Sequence, residues 1–332
     1  MALNSLGDLA QSFVLQRQNT VLKVEIQRLM DESISGRAAD TAAHLSGDIQ
    51  PLVGIDASLA RLAGFRSATR DAGLFAGAMQ TVLTTVGDMA SDLSTQLLGA
   101  SNTASTVRLN TVAGDARQKF ETSVAMLNTR LGDRSLFAGQ ATSGAALTDG
   151  ATMLAAIEAA TAGATTPADI AAAVTAWFAA PTGYAAAYQG GAALVDLQLA
   201  PGERARLDIT AREPALRDTL RGLAMATFIG SGALAGRPLA QAELAGLAGQ
   251  SLLQSGAAQT GLSARLGTVE AQIEDASVRN AAERSSLEIA RTAMVAVDPY
   301  ETAARLEATQ TQLEMLYALT ARMTRLSLVD YL

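Results

Sequence analysis

The chain has no cysteine and a single histidine, His44, among 332 residues. The first absence removes disulfides, thiolate nucleophiles and cysteine-ligated zinc. The second leaves no partner for a histidine-based metal site or a Ser-His-Asp relay. Positive charge is not in excess either: the net charge is −7, and the 25 basic residues are scattered along the chain. Nucleic acid binding needs a dense basic face to neutralise phosphates, so that class of partner is excluded. Long apolar runs are missing too. The stretch from Ile170 to Val195 carries no formal charge, but it is mostly Ala and is broken by Pro181, Gly183, Gly190 and Gly191. Such a segment is too weakly apolar to cross a bilayer, and no membrane insertion is expected. The start, Met1 to Asp8, lacks the basic-then-apolar pattern of a cleaved signal peptide.

Catalytic patterns are equally scarce. Gly230, Ser231, Gly232 and Gly236 are spaced like a loose dinucleotide motif, but no strand precedes them, and a loop after a helix is expected instead. His44 is expected at a partly exposed helix position. Glu270/Glu274 and Glu301/Arg305 read as solvated helix faces and i,i+4 pairs. No nucleophile elbow, phosphate loop or zinc-protease helix occurs. The expectation is a protein that is not an enzyme, with no catalytic residue, no cofactor and no metal.

What the chain does have is small residues and helical periodicity. Hydrophobic residues make up 49%, with Ala prominent and aromatics only 4%. That composition suits long helices packed side by side. Leu15, Leu22 and Leu29 recur at sevens, and Ile26 completes an a/d pattern. Phe75, Met79, Val82, Val86, Met89, Leu93 and Leu97 form a cleaner seam, followed by Phe120, Val124, Leu127 and Leu131. Leu262, Leu266, Val269, Ile273 and Ala276 repeat the pattern later. Leu316 with Met323, and Leu319 with Leu326, mark a C-terminal helix. Stripes this narrow must pair to be buried. Either they close a bundle within one subunit, or helices from both chain ends pair as an extended coiled coil that neighbouring subunits complete.

The C-terminal helix has a readable start in Asp298-Pro299-Tyr300-Glu301: an N-cap, Pro at the first helical position, and Glu placed to close a capping box. A hinge is expected just before it. Between the helical halves the pattern changes. Residues 139–166 are rich in Ala, Gly and Thr without period and read as loop and turn. Thr166-Pro167-Ala168-Asp169 opens a short helix with a face of Ile170, Val174 and Trp177. Val195, Leu197 and Leu199, then Ala205, Leu207 and Ile209, alternate with polar residues around Ala200-Pro201-Gly202-Glu203, which predicts a β-hairpin on a type II turn. Helix resumes near Pro214.

The expected fold is therefore mainly α with a small α+β insertion, its long antiparallel terminal helices forming a coiled coil or bundle. Three layers are expected: residues 1–33 with 298–332 as a terminal helical layer, 34–139 with 214–297 as a helical middle domain, and 140–213 as an inserted outer knob.

Four segments carry a resemblance. Leu127-Asn128-Thr129-Arg130-Leu131-Gly132-Asp133-Arg134-Ser135-Leu136-Phe137-Ala138-Gly139 is similar to the Leu-x-Asn-Thr…Gly-x-Tyr-Leu-Phe-Ala-Gly segment of flagellin-type proteins. The ending Leu326-Ser327-Leu328-Val329-Asp330-Tyr331-Leu332 resembles the Leu-Ser-Leu-Phe-Asp-Tyr terminus of the hook–filament junction branch, the third hook-associated proteins, with Val329 in place of Phe. Ser35-Gly36-Arg37 stands where the superfamily has Thr-Gly-Lys/Arg, although Ala38-Ala39-Asp40-Thr41 departs from its usual Ser-Asp-Asp-Pro. Tyr188-Gln189-Gly190 fits a Tyr-x-Gly.

The resemblance implies a flagellin-like subunit, exported unfolded by the flagellar type III apparatus to the extracellular hook–filament junction. Its implied partners are the first hook-associated protein, flagellin subunits, further copies of itself in a ring, and an export chaperone. The subunit contacts expected are Leu15, Leu22, Ile26, Leu29, Leu316, Leu319, Met323, Leu326, Leu328 and Tyr331. Both ends are expected to be mobile until assembly covers them. A filament flagellin and a type III needle-tip-like protein are the alternative readings.

Overall fold

The computed structural model describes residues 2–230 and 232–329, with side chains described from Ala10 to Met323 apart from Gln11 and residue 231. The elements run α1 (Ala2–Ser35), α2 (Thr41–His44), α3 (Gln50–Ser101), α4 (Thr106–Leu127), β1 (Arg130–Leu131), β2 (Arg134–Ser135), α5 (Gly150–Thr161), α6 (Pro167–Ala179), α7 (Tyr184–Ala187), β3 (Leu197–Ala200), β4 (Glu203–Ala205), α8 (Pro214–Thr227), α9 (Pro238–Val295) and α10 (Pro299–Val329), with a short 3-10 turn at Gly232–Leu234 before α9. The fold is mainly α, and the two small sheets among the described residues are both two-stranded antiparallel hairpins. The chain forms two compact units, 1–61 with 282–332 and 62–281, so the boundary falls within α3 and within α9.

The 62–281 unit is held by the periodic stripes. Phe75, Met79, Val82, Val86, Leu93 and Leu97 of α3 are buried, as are Phe120, Val124 and Leu127 of α4 and Leu262, Leu266, Ile273 and Ala276 of α9. Their 4-3 spacing keeps one face turned inward over many turns. Leu131 departs from the expected row. The helix stops at Leu127, and Leu131 is an exposed residue of β1. The helix stops because Asn128 turns its side chain onto the backbone of Leu147, donating to its carbonyl at 2.9 Å and accepting from its amide at 2.8 Å. Leu136 and Phe137 then enter the core, and the core continues without a break from α3 and α9 through residues of the 140–213 segment.

Gly139 has φ +59°, and a Cβ there would lie 2.2 Å from the carbonyl oxygen of Ala192. The run of residues 127–139 is thus a structural staple that ends α4 and anchors the segment after it.

Residues 139–166 do not remain loop, as their composition predicts. They contain α5, capped by Asp149, which accepts from the Thr152 amide at 2.9 Å, and packed through Met153, Leu154 and Ile157. Its three large apolar residues are diluted by Ala and Thr, so the period is hidden in the sequence. On α6 the capping box of Thr166 and Asp169 forms, Ile170 and Val174 are buried, and Phe178 takes the deeper place beside a half-buried Trp177. The expected hairpin forms only over Leu197–Ala205, with Val195, Leu207 and Ile209 outside the paired strands. It has a bulge between Gln198 and Ala200, and Gly202 at φ +80° supplies the third residue of the expected type II turn. Leu199, Ala205, Leu207 and Ile209 are buried, whereas Val195 is exposed. The hairpin lies against α9. Asn280 donates to the Leu199 carbonyl at 2.9 Å, Gln272 donates to that of Arg204 at 3.1 Å, and Arg279 pairs with Glu203.

Candidate functional site on the terminal helix pair

In the other unit α1 packs along α10. The chain brings them together through a small clasp. Arg37 and Ala296 form an antiparallel bridge, Ala38 donates to the Val295 carbonyl at 2.9 Å, and Val297 donates to that of Gly36 at 3.2 Å. The hinge predicted before Asp298 is this segment. Asp298 caps α10, its Oδ1 accepting from the amides of Tyr300 at 2.8 Å and Glu301 at 3.3 Å. The predicted capping box is not completed. The Glu301 carboxylate pairs with Arg305 instead.

The less exposed residues of α10 recur at 302, 306, 309, 313, 316, 320 and 323. Those of α1 include 15, 19, 22, 26 and 29. This alternating 4-3 spacing is the seam of a left-handed coiled coil. Its composition is weak for that purpose. Thr302, Thr309 and Thr320 occupy three α10 positions and Asn19 one α1 position. Tyr317, beside the seam, accepts hydrogen bonds from Asn19 and Lys23, which hold its phenol below the ordinary range. Lys23 Nζ also lies 6.0 Å from the centre of its ring.

Of the residues expected to make contacts, Leu29 and Leu316 are buried, and Leu15, Leu22, Ile26 and Met323 are half-buried. Leu319 lies beside that row and is 51% exposed. The side chains of Leu326 and Leu328, and Tyr331 altogether, lie outside the described residues.

A second apolar row is only partly legible in the sequence, through Leu319; Val14, Val21 and Met315 escape it. Val14 and Val21 stand exposed on α1, and Met315 and Leu319 stand exposed on α10. With Leu22, Leu316, Arg17, Gln18 and Gln312 they line a groove of about 610 Å³ along the pair. The signal was the seven-residue step from Val14 to Val21, one residue ahead of the Leu15–Leu22 step. Phe13, Val24, Met30, Ile34 and Tyr300 add exposed apolar surface elsewhere on the two helices. Burying a side chain of this kind is worth about 1.5–3 kcal/mol, so the half-exposed groove residues leave about 4 kcal/mol unrealised in the monomer.

Residues 255–332, from within α9 through α10 to the chain end, match the family profile of the bacterial flagellin C-terminal helical region. Among solved structures, a candidate flagellar hook-associated protein from Vibrio parahaemolyticus is similar, with a TM-score of 0.52 at 13% identity over 73% of this chain and 94% of that one. The fold is flagellin-like. No curated protein matches the sequence significantly. The profile match takes in the α10 wall of the groove. Among the described residues no helix is long and apolar enough to cross a membrane, and no group of three His, Cys, Asp or Glu could hold a metal ion.

Proposed function

We propose that the chain is a structural subunit of the bacterial flagellum, exported to the extracellular hook–filament junction, where it joins neighbours through its terminal helix pair. The observation that carries this reading is the uncovered groove of Val14, Val21, Met315 and Leu319 on a helix pair whose C-terminal member matches a flagellin profile. A seam interrupted by Asn19, Thr302, Thr309 and Thr320 beside an exposed apolar flank is weaker than a self-sufficient coiled coil needs. It supports completion of the pair by helices of other subunits, with Leu15, Leu22, Ile26, Leu29, Leu316, Met323, Leu326, Leu328 and Tyr331 extending that contact. The partners on this reading are the first hook-associated protein, flagellin, further copies in a ring, and an export chaperone. The three layers expected from the sequence are proposed with it.

The deciding test is deletion. Cells lacking a junction subunit build hooks and shed flagellin into the medium, and cells that keep intact filaments would refute the role. The flagellin profile equally supports a second reading, a filament subunit. Purified protein that polymerises by itself into long filaments selects that reading. Protein that stays unpolymerised until hook-capped basal structures are added selects the junction.

A further inference from the structure

Among the described residues, Glu32 is the only formally charged side chain that is buried. A charge withdrawn from water is costly unless its hydrogen bonds are rebuilt. Glu32 Oε1 accepts two: from Arg28 Nη1 at 2.9 Å and from the backbone amide of Ala39 at 3.0 Å. Arg28 does not depend on it, because the same guanidinium also holds Glu25, its Nε lying 2.9 Å from Glu25 Oε2. The Ala39 amide depends on it. That amide follows directly on Gly36 and Ala38, the residues that exchange backbone hydrogen bonds with Val297 and Val295. The carboxylate therefore reaches seven residues forward from the last turns of α1 to fix the strand side of the clasp.

We propose that Glu32 is the latch of this joint, a positioning residue that closes the 36–38 segment on 295–297 and so sets α1 in register with α10. Two backbone hydrogen bonds alone form a weak clasp. The acceptor placed beside them, inside a cleft of about 250 Å³, makes the closed state the stable one. The other charged or titratable groups lining that cleft are Arg28, Asp40, His44, Asp298, Glu301 and Arg305. Of the seven with Glu32 itself, only Glu32 bonds the backbone of residues 36–39; the side chains of Asp40 and Asp298 cap the first turns of α2 and α10 instead. The latch is a property of the folded subunit and holds whether or not the flagellar reading does.

Hydrogen exchange on the full-length monomer tests it, read at the amides of Ala38, Ala39 and Val297. Glu32→Ala removes the acceptor, and Glu32→Asp keeps the charge but shortens the reach by one methylene. Both are expected to speed exchange at these three amides at least tenfold while leaving those of Leu93 and Phe120 unchanged. Glu32→Gln keeps an oxygen at full length and is expected to stay within threefold of the natural protein. Two outcomes overturn the latch. One is Val297 protection in Glu32→Ala within twofold of the natural protein. The other is Glu32→Asp as protected as the natural protein while Glu32→Gln is not, which would assign the role to charge instead of placement.

Discussion

The two units of this chain use helices of the same kind for opposite ends. In the 62–281 unit the inward rows are Leu, Phe, Met and Val, and Phe120, Phe137, Met79, Leu83, Leu93 and Leu97 are fully buried. In the terminal pair the inward row mixes leucine with threonine and asparagine, and its largest apolar residues after Leu29 and Leu316 are partly exposed. The first unit contains its own core. The second leaves apolar residues of both its helices exposed along a groove. A periodic stripe therefore states that a helix must pair without stating with whom.

The largest expected effect breaks the comparison on its strong side. Phe120→Ala empties a fully buried aromatic site and should cost the 62–281 unit about 3–5 kcal/mol. Denaturant unfolding followed by a probe in that unit checks it. A loss below about 1 kcal/mol would mean that this core is no better packed than the terminal pair.

Next comes the weak side. Val21→Asp with Leu319→Asp places two charges on the groove while touching nothing in the 62–281 unit. Nearly half of each side chain is buried, so the α1–α10 pair should lose about 2 kcal/mol while the 62–281 unit unfolds as before. Incorporation into flagella, scored by motility and by the mutant protein left in the medium, should fall at least tenfold. A motile mutant would show that the groove is idle surface.

How much of this was legible beforehand follows from the same contrast. The rows of α3, α4 and α9 could be read because large apolar residues at 4-3 spacing have no other use, and Asp298-Pro299 and Pro201-Gly202 could be read because each fixes a backbone angle. Four things were hidden. Helix α5 was masked by alanine, whose side chain marks no face. The stop at Leu127 was masked because Asn128 acts through Leu147, nineteen residues away. In the candidate site, Leu29 and Leu316 were legible as leucines. Their neighbours Thr302 and Thr309 were not, because a threonine buried in a seam satisfies its hydroxyl on the preceding turn, as Thr309 does on Arg305 at 2.7 Å. The groove was missed because exposure is a property of the pair and not of either helix.

A smaller effect probes the seam itself. Thr309→Val trades a hydroxyl already bonded within its own helix for a methyl at a nearly buried position. It should stabilise the α1–α10 pair by about 1 kcal/mol or less. Slower proteolysis of the terminal segments in the monomer would register it. If protection rises and assembly slows, the weak seam serves assembly by keeping the pair easy to rearrange. If protection falls, the threonine row is better matched to its partner than its polarity suggests.

The smallest expected effect is acid, and there the two units should behave alike. The Asp92 carboxyl is held below the ordinary range first by its hydrogen bond from Lys119 and then by one from Gln96. Glu25 is held below it by the hydrogen bond from Arg28. A carboxyl whose folded pKa is depressed contributes stability above its unfolded value, near 4, and loses that contribution as pH falls through the folded value. Both side chains are more than a third exposed, at 60% and 38%, so solvent screening limits each contribution to about 0.5 kcal/mol. Unfolding between pH 5 and pH 3 should therefore weaken both units slightly and together, and Asp92→Asn should flatten the slope only in the 62–281 unit. A terminal pair that came apart steeply in that window while the other unit held would break the symmetry. It would place the acid-sensitive charge in the terminal pair.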